Sequence, residues 1–135
     1  MGHNEMILLD THIWVWWLTR STKLKAKNRN LLENSNELYL SVICLWEVAK
    51  AVEKGKIQFN IPIEEWLNSA VSTSGINIIH LNTEIIIDST QLPGNFHKDP
   101  ADQLIVSTSR VNNIPLLTQD RKILMYPHVK LCGVD

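Results

Sequence analysis

Asp99 and Asp102 stand three residues apart at the start of an apolar run, His97-Lys98-Asp99-Pro100-Ala101-Asp102-Gln103-Leu104-Ile105-Val106. Residues spaced in this way are neighbours on one face of a helix. Two carboxylates so placed can hold a hard cation or move a proton. The same stretch also makes a good helix start. Asp99 suits the N-cap, Pro100 suits the first helical position, where its missing N–H costs nothing, and an acidic first turn complements the helix dipole. The stretch alone leaves both readings open. The other acids decide between them, and several fall where strands end: Asp10 after the run Met6–Leu9, Asp120 after Leu116-Leu117-Thr118, and Glu47 one to two turns into a helix that follows a strand.

The elements that must carry these residues follow from hydrophobic periodicity and punctuation. Met6-Ile7-Leu8-Leu9 predicts a buried strand, with Asp10 or Thr11 capping the helix that begins at residues 12–18. Residues 23–33 predict a second helix, stopped by Asn34-Ser35-Asn36. Glu37–Ser41 predicts a strand with Leu38 and Leu40 on one side and Tyr39 on the other. Ser41 opens a helix over 43–54, ended by Gly55. Further helices are expected over 62–74, 83–92 and from Asp99 to about residue 112, and further strands over 76–81 and 114–118, with Pro115 near the start of the latter. A helical turn over 121–125 and an edge strand over 129–132 complete the expectation. Short strands alternating with helices of about ten residues predict an α/β protein, a mainly parallel sheet covered on both faces. Ligands of such sheets bind beyond the carboxyl ends of the strands, where Asp10, Ser41, Thr118 and Asp120 would lie.

The chain has 135 residues, 44% of them hydrophobic, enough for one domain with a sizeable core. No internal repeat, low-complexity tract or linker divides it, so residues 1–135 are expected to form a single domain. The longest apolar runs, such as residues 13–18, are far too short to cross a membrane. Met1–Glu5 is polar and the next apolar run is broken at Asp10, which gives no signal-peptide pattern. Cys44 and Cys132 lie in apolar surroundings without C-x-x-C spacing and are read as buried thiols of a cytoplasmic protein. The formal net charge is −1, so overall charge does not announce nucleic-acid binding. Two local clusters do bear on it: Lys23, Lys25, Lys27 and Arg29, and Lys50, Lys54 and Lys56. Such clusters become a nucleic-acid footprint only where they flank a reactive centre. Trp14, Trp16 and Trp17 are expected to serve mainly in the core, with a share left for a partner interface.

Five carboxylates gathered without matching cations would repel one another and raise one another's pKa values. A hard divalent cation relieves that repulsion, and oxygen-only donors favour Mg²⁺ or Mn²⁺ over zinc. Such ions activate water and stabilise the leaving oxygen in phosphodiester cleavage. The chain lacks a P-loop, which argues against a nucleoside triphosphate substrate.

Four segments carry a family resemblance. Ile7-Leu8-Leu9-Asp10-Thr11-His12, Ser41-Val42-Ile43-Cys44-Leu45-Trp46-Glu47-Val48-Ala49, His97-Lys98-Asp99-Pro100-Ala101-Asp102-Gln103-Leu104-Ile105 and Leu117-Thr118-Gln119-Asp120 resemble, in order and spacing, the motifs of PIN domains, and among them the VapC-type toxin ribonucleases of toxin–antitoxin pairs. The resemblance implies a three-layer α/β/α fold around a central, mainly parallel sheet, and a Mg²⁺- or Mn²⁺-dependent endoribonuclease. By position, Asp10, Glu47 and Asp102 match the family's core metal-binding acids. Asp120 matches its more variable fourth acid, Asp99 an additional acid of a subgroup, and Thr118 the small hydroxyl residue that supports the site. The resemblance also implies a homodimer, an RNA substrate, and an antitoxin partner whose C-terminal segment lies in a groove near the acids. Exposure among Trp14, Trp16, Trp17 and Trp66 would be consistent with such contacts. Two departures stand out: His12 replaces a small polar residue common in PIN domains, and Gln103 stands where arginine is frequent in the subgroup.

Several other residues admit more than one role. His12, His80 and His97 have the chemistry of general bases, but packing or capping is the favoured reading, since an acidified water needs no separate base. Ser41 reads as a helix cap supporting the site, with no histidine–carboxylate pair nearby to make it a nucleophile. Lys50 and Lys54 share a helix side with Glu47 and suit phosphate contacts, solvated surface or pairing with Glu47 equally. Two different functions compete with the nuclease: a PIN-like module without activity that works through protein contacts, and a phosphoacceptor receiver domain. The full set of acids favours the enzyme. The receiver reading lacks an acidic neighbour beside Asp10, a strand-end acceptor near Ser41 and a lysine after Leu116-Leu117-Thr118.

Overall fold

The computed structural model describes residues 5–73 and 75–133. Met1 to Asn4, the bulk of the polar opening segment, and Ser74, the last residue of the helix expected over 62–74, lie outside the described residues. The elements run β1 (Met6–Leu9), α1 (Thr11–Leu18), α2 (Ala26–Glu33), β2 (Glu37–Ser41), α3 (Ile43–Glu53), α4 (Ile63–Thr73), β3 (Asn77–Ile79), α5 (Thr83–Ser89), α6 (Pro100–Asn112), β4 (Leu116–Leu117) and α7 (Arg121–Leu124).

The four strands form one sheet in the order β3-β2-β1-β4, and every pairing is parallel. Ile7, Leu8 and Leu9 are all buried, as are Leu116 and Leu117. Successive strand residues point to opposite faces, so consecutive buried residues mean that helices cover both sides of the sheet. This is the α/β/α arrangement expected from the sequence. The core continues from these strands into Ile13 and Trp14 of α1, Cys44 and Val48 of α3, and Ile105 and Val106 of α6. Trp14 has no exposed surface and meets Trp66 edge-on with ring centroids 5.6 Å apart. Trp16, Trp17 and Trp66 are half-buried against the core. No helix among the described residues is long and apolar enough to cross a membrane.

The chain adds β2 and β3 on one side of β1 and then returns to add β4 on the other. That reversal creates a crevice beyond the carboxyl ends of β1 and β4, the place where open α/β sheets bind ligands. The Asp10 amide donates to the Leu117 carbonyl at 3.0 Å, so the first residue after β1 lies directly beside the end of β4.

Several elements are shorter than their sequence pattern: β3 and β4 cover only Asn77–Ile79 and Leu116–Leu117 of the strands expected over 76–81 and 114–118, and three others differ as follows. Helix α2 begins at Ala26, with Lys25 as an N-cap in extended conformation whose amide, free of any intrahelical acceptor, donates to the Gln119 side chain at 2.9 Å. Helix α5 stops at Ser89, where the Ser89 and Thr90 hydroxyls donate to the Ile86 and Ile87 carbonyls at 2.6 and 2.8 Å; side chains of this type compete with the helical ladder. The edge strand expected over 129–132 is only an isolated parallel bridge between Leu116 and Leu131. It follows from β4 having just two residues to pair with.

Candidate active site

Asp10 sits at the floor of the crevice with 3% of its surface exposed. It is the N-cap of α1, and its Oδ1 accepts from the Thr11 amide at 2.8 Å. Its Oδ2 accepts from the Thr118 hydroxyl at 2.6 Å. The same hydroxyl oxygen accepts the Asp120 amide at 3.0 Å, so one threonine fixes both the buried acid and the loop after β4. Burial raises the Asp10 pKa from its ordinary value, opposed by the Thr118 and Thr11 hydrogen bonds.

Glu47 comes from α3, whose buried face is Cys44 and Val48. The Thr11 hydroxyl donates to its Oε1, which ties the carboxylate of α3 to the first turn of α1. Burial is the largest cause of its raised pKa, with the Asp10 and Asp99 charges adding to it. Asp99 is the N-cap of α6, its Oδ1 accepting from the Asp102 amide at 3.1 Å, and Pro100 occupies the first turn. Asp102 is pushed up to about 8, first by burial and then by Asp10, Asp99, Glu47 and Asp120. Its Oδ2 also lies 3.1 Å from Nε2 of His97, whose ring stacks at a tilt on Phe96. That nitrogen is out of line for a hydrogen bond.

Glu47, Asp99 and Asp102 can each turn one oxygen to a common point, with these atoms all within 4.8 Å of one another. This is the one such group of acids, histidines and cysteines among the described residues. It is an all-oxygen set, the donor chemistry of a hard divalent ion, and the mutual repulsion behind the raised pKa of Asp102 is the strain that such an ion relieves. The residues present therefore fit a divalent cation. Asp10 is not part of this group; its two oxygens are turned toward Thr11 and Thr118 beneath it.

The remaining expected residues are placed as follows. Asp120 is the N-cap of α7, accepting from the Lys122 amide at 2.8 Å, and its charge reaches Asp10 and Asp102. Ser41 is fully buried at the end of β2, and its Oγ accepts the Ile43 amide at 3.3 Å, although the N-cap position itself is Val42. His12 is exposed on α1, its ring 5.4 Å from that of Trp16, near enough to Asp10 and Glu47 to act on their pKa values. His80 is exposed just after β3. Lys50 pairs with Glu53 at 2.8 Å, not with Glu47.

A cleft of about 350 Å³ opens over Glu47 and Asp99 and is lined further out by Trp46, Lys50, Lys54 and Lys56. On the other side, the Gln119 side chain donates to the Lys23 carbonyl and accepts from the Lys25 amide and the Asn28 side chain, each at 2.9 Å. This bonding carries the first basic segment to the loop between Thr118 and Asp120. Thr11 and Gln119 are the two positioning residues that sequence reasoning did not assign. Their signal was adjacency: each directly follows or precedes an expected site residue.

A crevice at a topological switch point, floored by a strand-end aspartate and rimmed by acids from two helices, defines a PIN-type fold and site. The chain belongs to the PIN domain family, whose model matches residues 7–128. Ribonuclease VapC22 of Mycobacterium tuberculosis is 29% identical over 122 residues, 90% of this chain and 92% of that protein. The fold is that of the DNA-bound VapBC complex of Salmonella typhimurium, with a TM-score of 0.69, 19% identity and coverage of 94% of this chain and 96% of that one. FitAcB of Neisseria gonorrhoeae gives a TM-score of 0.69 at 19% identity, over 93% of this chain and 96% of that one.

Proposed function

We propose that this protein is a divalent-cation-dependent endoribonuclease, active in the cytoplasm as the toxin of a toxin–antitoxin pair. The observation that carries the reading is the gathering of Glu47, Asp99 and Asp102 within 4.8 Å, above Asp10, in a chain of the PIN family. The Mycobacterium relative, a ribonuclease by name, supports the reaction class. Glu47, Asp99 and Asp102 would hold Mg²⁺ or Mn²⁺, with Asp10 and Asp120 completing the negative field around them. When bound, the ion supplies charge neutralisation and acidifies water for attack on a phosphodiester.

The chain's own residues have defined tasks. Thr118 holds Asp10 in one rotamer from below, and Thr11 holds Glu47, so neither acid must reorganise when substrate arrives. Thr11 and Thr118 donate to carboxylate oxygens, which favours the ionised forms and partly opposes the rise in pKa that burial causes. Lys50, Lys54 and Lys56 line the cleft that leads away from the acids, and Lys23 and Lys25 are exposed on the opposite rim. Cations on both sides of an acidic centre suit a phosphate backbone passing across it. Ser41 supports the site through the start of α3.

The antitoxin partner is supported by the toxin–antitoxin complexes among the solved structures of the same fold. A homodimer is supported by the exposed side chains of Ile86 and Ile87 on α5, 46% and 48% accessible, next to each other on a short helix. The test is cleavage of total RNA by the purified protein, with Mg²⁺ against EDTA and with Asp10→Asn as the control. Discrete cuts that need the cation and are lost in Asp10→Asn support the reading. A folded Asp10→Asn protein that cuts as the native chain does would overturn it.

A further inference from the structure

Trp46 is 53% exposed, although it stands on α3 between residues whose neighbours Cys44 and Val48 are fully buried. An indole left this open forgoes a large share of the stabilisation that its burial would contribute. Its position explains why it stands there. The ring lines the acidic cleft on one side, beside Glu47 and Lys50. On its other side it lines a separate hollow of about 340 Å³, formed with Val42 and Ile43 of α3 and Pro100, Ala101 and Leu104 of α6. The walls of that hollow are almost wholly apolar. Trp46, with Pro100 and Ala101, thus lines both a charged, lysine-edged cleft and an apolar hollow beside it. Lys50 Nζ lies 6.0 Å from the ring centroid, at the outer range of a cation–π contact.

A single-stranded polynucleotide has the complementary pattern: phosphates that seek cations, alternating with flat apolar bases that seek aromatic faces. We propose that Trp46 is the stacking platform for an unpaired base next to the cleaved phosphate, with the apolar hollow receiving that base. In a duplex the bases remain stacked on one another and cannot reach the ring, whereas loops and single strands present them splayed. The phosphate attached to a base on Trp46 falls toward Glu47 and the lysines of the same cleft. The hollow has no cation or hydrogen-bond donor to hold a phosphate, which leaves the base as the part that enters it. The proposal rests on the ribonuclease reading and assigns it a substrate-binding residue.

Total-RNA cleavage by the native protein in Mg²⁺ comes first, because the absence of cuts beyond those of Asp10→Asn overturns the ribonuclease reading itself. A short single-stranded RNA carrying a mapped cut site is then assayed with native protein, Trp46→Phe and Trp46→Ala. Base–aromatic stacking predicts that Trp46→Ala raises KM about 5- to 150-fold, with Trp46→Phe staying close to native. The same RNA with an abasic nucleotide beside the cut loses a similar factor with native protein and little more with Trp46→Ala, the non-additivity of a direct contact. Circular dichroism and melting temperature report whether Trp46→Ala is folded. Native-like KM in a folded Trp46→Ala overturns the proposal while leaving the ribonuclease reading standing. Unchanged kinetics together with a loss of dimer on size-exclusion chromatography also overturns it, and assigns the ring to a second copy of the chain.

Discussion

Replacing Asp102 by Asn is expected to make the metal-free protein more stable. Burial and the surrounding carboxylates push Asp102 up to about 8 from an ordinary 3.8. Each pKa unit corresponds to about 1.4 kcal/mol, so the full shift carries at most about 6 kcal/mol against folding. The Asp102 side chain is 14% exposed and faces an open cleft, and Glu47 and Asp10 share the proton load. Screening and this coupling reduce the expected gain to about 1–3 kcal/mol. The direction with pH is fixed by the sign of the shift. Between the unfolded value near 3.8 and the folded value near 8, the folded state holds a proton that the unfolded chain has released. Stability of the native protein therefore falls as pH rises through that window and levels off above it, while Asp102→Asn has no such titration. Urea unfolding of both proteins in EDTA, from pH 5 to pH 9, should show a gap in favour of the variant that widens up to about pH 8. Adding Mg²⁺ or Mn²⁺ should stabilise the native protein and leave the variant little changed. A variant no more stable than native protein at pH 8, or a gap that does not depend on pH, would refute the claim that these acids repel one another.

Thr118→Val leaves Asp10 Oδ2 without its donor and the Asp120 amide without its acceptor; a loss of about 1–3 kcal/mol in urea unfolding is expected, with Thr118→Ser close to native. Thr11→Val frees Glu47 from α1, and a fall in kcat of about 10-fold is expected with Thr11→Ser restoring it, as for an interaction that pre-orients a reacting group. Trp14→Ala empties the fully buried position against Trp66 and should cost about 3–5 kcal/mol of stability, read by chemical denaturation. Its metal-dependent cleavage should persist at temperatures where it remains folded.

The parallel sheet and its order of elements could be read from the chain because the strands are short apolar runs that stop at polar residues, and helices α1, α5, α6 and α7 start at the side-chain caps Asp10, Asn82, Asp99 and Asp120. Asp99 shows this most clearly. It was expected at an N-cap and is one, and the same residue offers an oxygen to the acidic group. Helix capping and ligand donation are compatible, since a carboxylate has lone pairs for both. Element lengths were less accessible because tertiary hydrogen bonds set them. Gln119 takes the Lys25 amide at the start of α2, a bond that joins residues 94 positions apart and leaves no local mark. The division of labour among the acids also lay beyond the sequence. Asp10, Glu47 and Asp102 read as equivalent metal-binding acids, but Asp10 lies lower, held by two donors, while Asp99 shares the upper position with Glu47 and Asp102. That difference depends on which donors meet Asp10 in the folded chain, which spacing along the chain does not encode. Trp46 was likewise invisible as an exposed residue, since its flanking apolar positions suggest an ordinary core-facing helix.

The central claim is that separate parts of the chain build one divalent-cation site, and calorimetric titration of Mn²⁺ into the purified protein tests it most directly. The native chain is expected to bind with a saturable signal, and Glu47→Gln, Asp99→Asn and Asp102→Asn are each expected to weaken that binding by at least about 10-fold. Asp10→Asn should weaken it less, because its carboxylate is turned to the threonines. Equal Mn²⁺ binding by all of these proteins, or none by the folded native chain, would contradict the account.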